Sequence, residues 1–153
     1  MSNKLTVFLL AIIALAAFST SASAQRNVTP AVDRDPLMEA DANHNLDVAW
    51  NAFKLKKAYK GALMRFEETY AAYPDFSKID EFLYLAGMSS FYLAENKGAQ
   101  KVDMKSDKEK DKFAPAKLKE DAVAYLSTIV DKYPQSRFRS DAEKVLKTLK
   151  SSN

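Results

Sequence analysis

Two segments of this chain repeat one plan. Residues 62–74 read Ala-Leu-Met-Arg-Phe-Glu-Glu-Thr-Tyr-Ala-Ala-Tyr-Pro, and residues 122–134 read Ala-Val-Ala-Tyr-Leu-Ser-Thr-Ile-Val-Asp-Lys-Tyr-Pro. Each opens on an alanine followed one helical turn later by a large apolar residue, Phe66 or Leu126, and each closes on a tyrosine-proline pair. Proline disfavours helical geometry in the residue before it, so both helices must stop at the tyrosine. A second apolar helical pattern follows each proline. One helical pair of this kind cannot bury its apolar face alone; successive pairs stack to do so, and such stacks mostly bind other proteins.

The periodicity along the rest of the chain agrees. Asp35-Pro36 reads as a helix start, with a side chain that accepts from free backbone donors and a proline at the first helical position. Leu46, Ala49, Trp50 and Phe53 then fall at i, i+3, i+4 and i+7, one stripe of a helix running to about Lys56. Tyr59, Ala62, Leu63, Phe66, Tyr70 and Tyr73 stripe a second helix. Ser77 and Asp80 form a capping-box pattern at the start of a third. From Phe82 to Leu93 this third helix is apolar nearly all round, which predicts a central position. Gly87 within it costs about 1 kcal/mol relative to alanine, and predicts close approach of a neighbouring helix. Leu118, Ala122, Leu126, Ile129, Val130 and Tyr133 stripe a fourth helix. Ser136 is placed to cap a fifth, whose inner face is Phe138, Ala142, Val145, Leu146 and Leu149. The expected fold is all-α, about five antiparallel helices stacked as a short solenoid of hairpins over residues 36–150.

One stretch, residues 95–116, breaks the pattern. As a helix it would set Lys97 over Lys101, Lys101 over Lys105, Asp103 over Asp107, Asp107 over Asp111 and Lys108 over Lys112, with only Lys105 over Glu109 attracting. Like charges four apart oppose a helix by a few tenths of a kcal/mol each. The stretch is therefore expected to be a disordered, solvated insertion, the alternative being a charged arm that docks a partner, as long loops are either functional or disordered.

The N-terminus speaks of export. One lysine, the apolar run from Val7 to Phe18 and small residues ending Ala22-Ser23-Ala24 match a signal peptide over residues 1–24. The run is shorter than the roughly 20 residues a membrane span needs. Residues 25–35, polar and with Pro30, read as a flexible leader. Without the signal, 22 basic residues face 20 acidic ones, because Lys4 alone of the 23 is removed. That balance, without bunching, argues against nucleic acid. The absence of cysteine leaves packing alone to hold an exported fold together, and offers no thiol for lipid attachment, so no stable membrane insertion is expected after cleavage.

Reactive chemistry is scarce. His44 is the only histidine, and without cysteine there is neither a histidine-rich metal cluster nor a thiolate nucleophile. The three glycines form no phosphate-cradling or nucleophile-elbow motif. Neighbouring carboxylates at Glu67-Glu68 and Asp80-Glu81 diverge by about 100° on a helix and make poor acid–base couples. Trp50 reads as core. No catalytic residue, metal or cofactor is expected.

The spacing of Phe53, Ala62, Phe66 and Pro74 resembles the tetratricopeptide repeat, a two-helix unit of about 34 residues. Trp50 departs from it, standing where a small residue is usual, as does Leu126, which replaces the second unit's aromatic. If Gly87 is that unit's small residue, the chain carries roughly twenty residues more than the pattern requires before Ala122, which is the charged insertion. The corners Tyr73-Pro74-Asp75-Phe76-Ser77 and Tyr133-Pro134-Gln135-Ser136-Arg137-Phe138, followed by Asp80-Glu81 and Ser140-Asp141-Ala142, resemble the envelope branch of these repeats. That branch includes the lipoprotein that supports outer-membrane β-barrel assembly (BamD-like) and the periplasmic coordinator of the Tol-Pal system. The resemblance covers roughly residues 46–149. The chain departs from the assembly lipoprotein in having no lipid-bearing cysteine and only about two and a half repeats.

The resemblance implies a groove lined by the first helix of each pair. In the first unit its positions are His44, Asp47, Asn51, Lys54 and Leu55; in the second they are Glu81, Tyr84, Met88, Phe91 and Tyr92. The second set, aromatic with a methionine, suits adaptable capture of a peptide or helix. The candidate contacts are Tyr84, Met88, Phe91, Tyr92, Asp47, Asn51 and Lys54; the alternative is that they pack under the insertion or the first helix. The expected function is an exported, non-enzymatic adaptor of the bacterial envelope, linked to outer-membrane protein assembly, periplasmic or outer-membrane-associated with secretion as the alternative, holding an envelope protein or peptide segment and no nucleic acid. The rivals are a structural helical subunit permanently buried in a larger envelope complex and a Tol-Pal-type coordinator.

Overall fold

The computed structural model describes residues 34–151. The expected signal peptide and all but the last two residues of the expected leader lie outside them. Six helices follow in order: α1 (Pro36–Lys54), α2 (Tyr59–Ala72), α3 (Ile79–Ala94), α4 (Asp107–Lys112), α5 (Pro115–Lys132) and α6 (Arg139–Ser151). No strand forms among the described residues, and no helix among them is long and apolar enough to cross a membrane.

Local chemistry sets most boundaries. The Asp35 carboxylate accepts from the backbone N–H of Leu37 at 2.8 Å, and Pro36 opens α1. Tyr73 and Tyr133 stand at the C-terminal caps of α2 and α5, outside helical geometry, each ahead of its proline. Ser77 differs from expectation: it does not cap α3. Its hydroxyl donates to Glu39 in the first turn of α1, and its N–H donates to the same carboxylate at 3.3 Å. Burial pushes Glu39 upward, but the Ser77 hydrogen bonds together with Tyr73 and the nearby Arg34 charge hold its carboxyl below the ordinary value. The second hairpin repeats the brace: Arg137, just ahead of α6, donates to Glu81 in the first turn of α3 at 2.9 Å.

α3 lies at the centre, as its all-round apolar sequence predicts. It packs on α2 and α5, with its most extensive contact to α5, and also touches α1. Ile79, Phe82, Leu83, Leu85, Ala86, Gly87, Met88 and Leu93 are all buried, and a fully buried side chain of Leu, Ile, Met or Phe size contributes about 1.5–3 kcal/mol. Phe66 meets the rings of Phe82 at 5.5 Å and Tyr125 at 5.0 Å, both edge to face, tying α2, α3 and α5 together. A Cβ placed on Gly87 would lie 2.7 Å from Leu126 Cγ and 2.8 Å from its Cδ2. The close approach foreseen at this glycine is thus the α3–α5 contact.

The charged stretch is not the structureless insertion its charge pattern suggests. It turns back at Gly98, carries α4, and lies against α2. Lys60 of α2 donates to both oxygens of Glu109, at 3.0 and 2.9 Å, and the Gly61 N–H donates to the Gln100 side chain at 2.9 Å. Lys112 pairs with Glu67, and Phe113 is buried at the base. Repulsions of a few tenths of a kcal/mol along α4 are offset by opposite charges supplied from another helix.

Two expected outcomes follow from this packing. Gly87→Ala gains about 1 kcal/mol in helix propensity but overpacks a wall formed by fully buried Leu126, at a cost of about 1–3 kcal/mol. Urea unfolding should show a net loss, and the Gly87→Ala/Leu126→Ala double variant should lose less than the sum of the two single changes. Burial, then Asp121 and Glu67, push the Tyr125 phenol up to about 12 from 10.0. A raised folded value means a contribution fully present below the unfolded pKa and lost as pH rises through the folded one. The urea midpoint should therefore fall between pH 10 and about 12, and fall less in Tyr125→Phe.

Candidate partner-binding face

The first helices of the two hairpins, α1 and α3, lie beside each other, and the residues leading into α6 close against both. One turn of α1 separates Trp50 from Phe53; one turn of α3 separates Tyr84 from Met88, and one more reaches the adjacent pair Phe91 and Tyr92. The shared face is a continuous row of rings. Tyr84 stacks on Phe138 at 4.7 Å with planes 19° apart, and Phe138 lies 6.3 Å from Trp50. Trp50 meets Phe53 edge-on at 5.8 Å, and Phe53 touches Tyr59 at 5.0 Å and Tyr92 at 5.9 Å. Phe91 ends the row 5.6 Å from Tyr92. Such pairs contribute about 0.5–1.5 kcal/mol each beyond the area they bury.

Charge is laid over the rings. Glu81 Oε1 accepts from the Trp50 indole N–H at 2.7 Å and from Arg137 at 2.9 Å. Lys54 Nζ stands 4.0 Å above the Trp50 ring, the Arg137 guanidinium 4.7 Å above Phe138, and Lys97 Nζ 5.6 Å from the Tyr92 ring. Exposed cation–ring contacts are worth about 0.5–1 kcal/mol, and the Arg137–Glu81 pair, with its arginine in solvent, adds at most about 1 kcal/mol. Burial, then Asp141 and Tyr92, push the Tyr84 phenol upward.

Tyr84, Phe91 and Tyr92 are half-buried members of the row, and Lys54 caps it. Met88 is only 7% exposed and belongs to the core. Its position on an apolar-all-round helix leaves it facing neighbouring helices, not solvent. Asp47 and Asn51 stand exposed on α1, as does His44, and Leu55 is exposed at its C-cap; among the described residues no ring contact or side-chain hydrogen bond joins them to the row. Sequence reasoning missed Trp50 and Phe138 as members of this face. Trp50 sits in the apolar stripe of α1 and so reads as core, yet it is partly exposed. The available signal was its bulk where the repeat has a small residue, since a ring that size cannot be enclosed between two close helices. Phe138 offered a weaker one, four residues beyond the proline of its corner.

Elsewhere an apolar groove between α5 and α6 is lined by Pro115, Val123 and Leu149, and another between α1 and α2 by Leu37, Met38 and Ala72. Among the described residues no group of three or more His, Cys, Asp or Glu side chains is placed to hold a metal.

The Glu81 junction is testable through the only tryptophan. Glu81→Ala leaves the part-buried indole N–H without its acceptor, while Arg137 turns to solvent, and should shift Trp50 emission in the folded protein. Glu81→Gln retains an acceptor for the indole and should preserve the emission.

Compared with known proteins, the chain matches the YfiO family, described as outer membrane lipoprotein, over residues 13–152. No curated protein and no solved structure matches it with significance. The match spans nearly the whole chain and the helices follow the hairpin pattern of tetratricopeptide-type repeats, so the chain belongs to the YfiO family of outer membrane lipoproteins.

Proposed function

We propose that this chain is a non-enzymatic adaptor of the bacterial envelope, which holds an extended segment or a helix of another envelope protein on the face formed by α1, α3 and the start of α6. The observation that carries the reading is the row from Tyr84 through Phe138, Trp50 and Phe53 to Tyr92, partly exposed and capped by Lys54 and Arg137. Rigid aromatics flanked by cations present large contact area at low entropic cost, and aromatic and arginine side chains dominate the energetics of protein interfaces. Membership of an outer membrane lipoprotein family supports an envelope location and a role linked to outer-membrane protein assembly. The adaptor would work at the membrane through its partners.

The test is recovery of crosslinked partners from the native envelope. Tyr84→Ala and Tyr92→Ala should each weaken recovery by about tenfold or more, as expected for interface anchors, while far-UV circular dichroism stays unchanged. Met88→Ala is unsuitable as a binding probe, because that side chain is buried and its loss should lower stability instead. Undiminished recovery with both tyrosines removed would overturn the assignment of this face. The structural-subunit reading draws on the pairing of Tyr84 with Phe138 inside the chain; a chain found only in an obligate assembly, never as a free monomer, would favour it.

A further inference from the structure

We propose that residues 97–113 form an electrostatically latched strap, which leaves α2 as a unit while the helix stack stays folded. The strap is rooted at both ends; between the roots Val102 packs partly buried against the core, and the remaining anchors are polar. At one root Gly98 takes φ +97°, and a Cβ there would lie 2.6 Å from both the Lys57 carbonyl oxygen and the Tyr59 ring. The Ala99 N–H donates to that same carbonyl at 2.9 Å. At the other root Phe113 is buried in the core. Between them α4 has no buried residue. A six-residue helix is far too short to persist alone in water, and Asp107 over Asp111 and Lys108 over Lys112 oppose it further. Its order must come from α2.

What α2 supplies is almost wholly polar. Glu109 is the common acceptor: Lys60 reaches it from α2, and the Asp103 N–H, at 2.9 Å, closes the loop onto it from within the strap. These two contacts hold the Glu109 carboxyl below the usual carboxylate range. Lys112 with Glu67 and the Gly61 N–H with Gln100 complete the seam. Ion pairs at this depth are partly screened by salt, whereas the α3–α5 core is apolar and is not weakened by it. The strap and the stack therefore answer to different forces, and an open strap uncovers the side of α2 that carries Lys60, Gly61 and Glu67.

Hydrogen exchange of the full chain separates the two. The amides of Asp103, Lys110 and Phe113 all donate within the strap, and in native conditions their exchange follows the open population. Glu109→Gln should speed all three by about fivefold or more, the effect of losing a single charge-assisted contact. About 1 M salt, where the screening length shrinks to about 3 Å, should speed them in the parent and add little in the variant. Amides of α3 and α5 should not respond to either change. Gly87→Ala, which weakens the stack, should speed the α3 and α5 amides and leave the strap rates where they were. The idea is overturned if Glu109→Gln and salt leave the strap amides unchanged, or if the strap and the α3 and α5 amides accelerate together in every variant, since opening would then be unfolding of the whole chain.

Discussion

The stack is built outward from the place where α3 and α5 come closest. Gly87 gives up a side chain so that Leu126 can lie directly on the α3 backbone, and Ala86 and Ala122, both fully buried, keep the surrounding surface low. Close-packed interiors tolerate little change in volume, so this spacing in turn dictates how Phe66, Phe82 and Tyr125 meet. α3 also buries the small side chains of Ser89 and Ser90, which add to the low surface there.

The same short-range device braces both hairpins and, in the second, also builds the candidate site. Glu39 receives Ser77, and Glu81 receives Arg137. Each acid stands in the first turn of a hairpin's first helix and reaches the segment just ahead of the next such helix. At Glu81 the carboxylate is shared with the Trp50 indole, so the contact that angles α6 against α3 also orients the largest ring of the exposed row. The brace of the second hairpin and the orientation of that ring thus share one acceptor oxygen. That coupling explains why the aromatic face sits where the helices change direction, while the exposed residues farther along α1, Asp47 and Asn51, take no part in it.

Much of this was legible from local patterns. Asp35-Pro36 and the two tyrosine-proline corners marked helix ends because capping and proline sterics act within a few residues. The stripes of α1, α2, α5 and α6 reported which side faces inward, and Gly87 reported a close neighbour. Where reading by sequence failed, a remote group had intervened. Ser77 has the form of a cap for α3, but Glu39, far back in the chain, takes its hydroxyl. The insertion has a charge order hostile to helix, but Lys60 and Glu67 on α2 neutralise it. Met88 and Trp50 exchanged expected roles because exposure on a mostly apolar helix depends on which neighbours arrive, and periodicity along one helix carries no record of that.

The amino-acid sequence by itself determined the all-helical class, the hairpin repeat, the hinge points between rods and the central place of α3, because propensity, proline geometry and hydrophobic period are properties of neighbouring residues. Only the tertiary structure decided that Phe138 and Tyr84 stack, that Glu81 joins Trp50 to Arg137, and that a repulsive run of charges lies as a strap along α2. Each of those joins groups more than thirty residues apart, and the free energy that selects them depends on distance and solvent exposure in the folded chain, which no local pattern encodes.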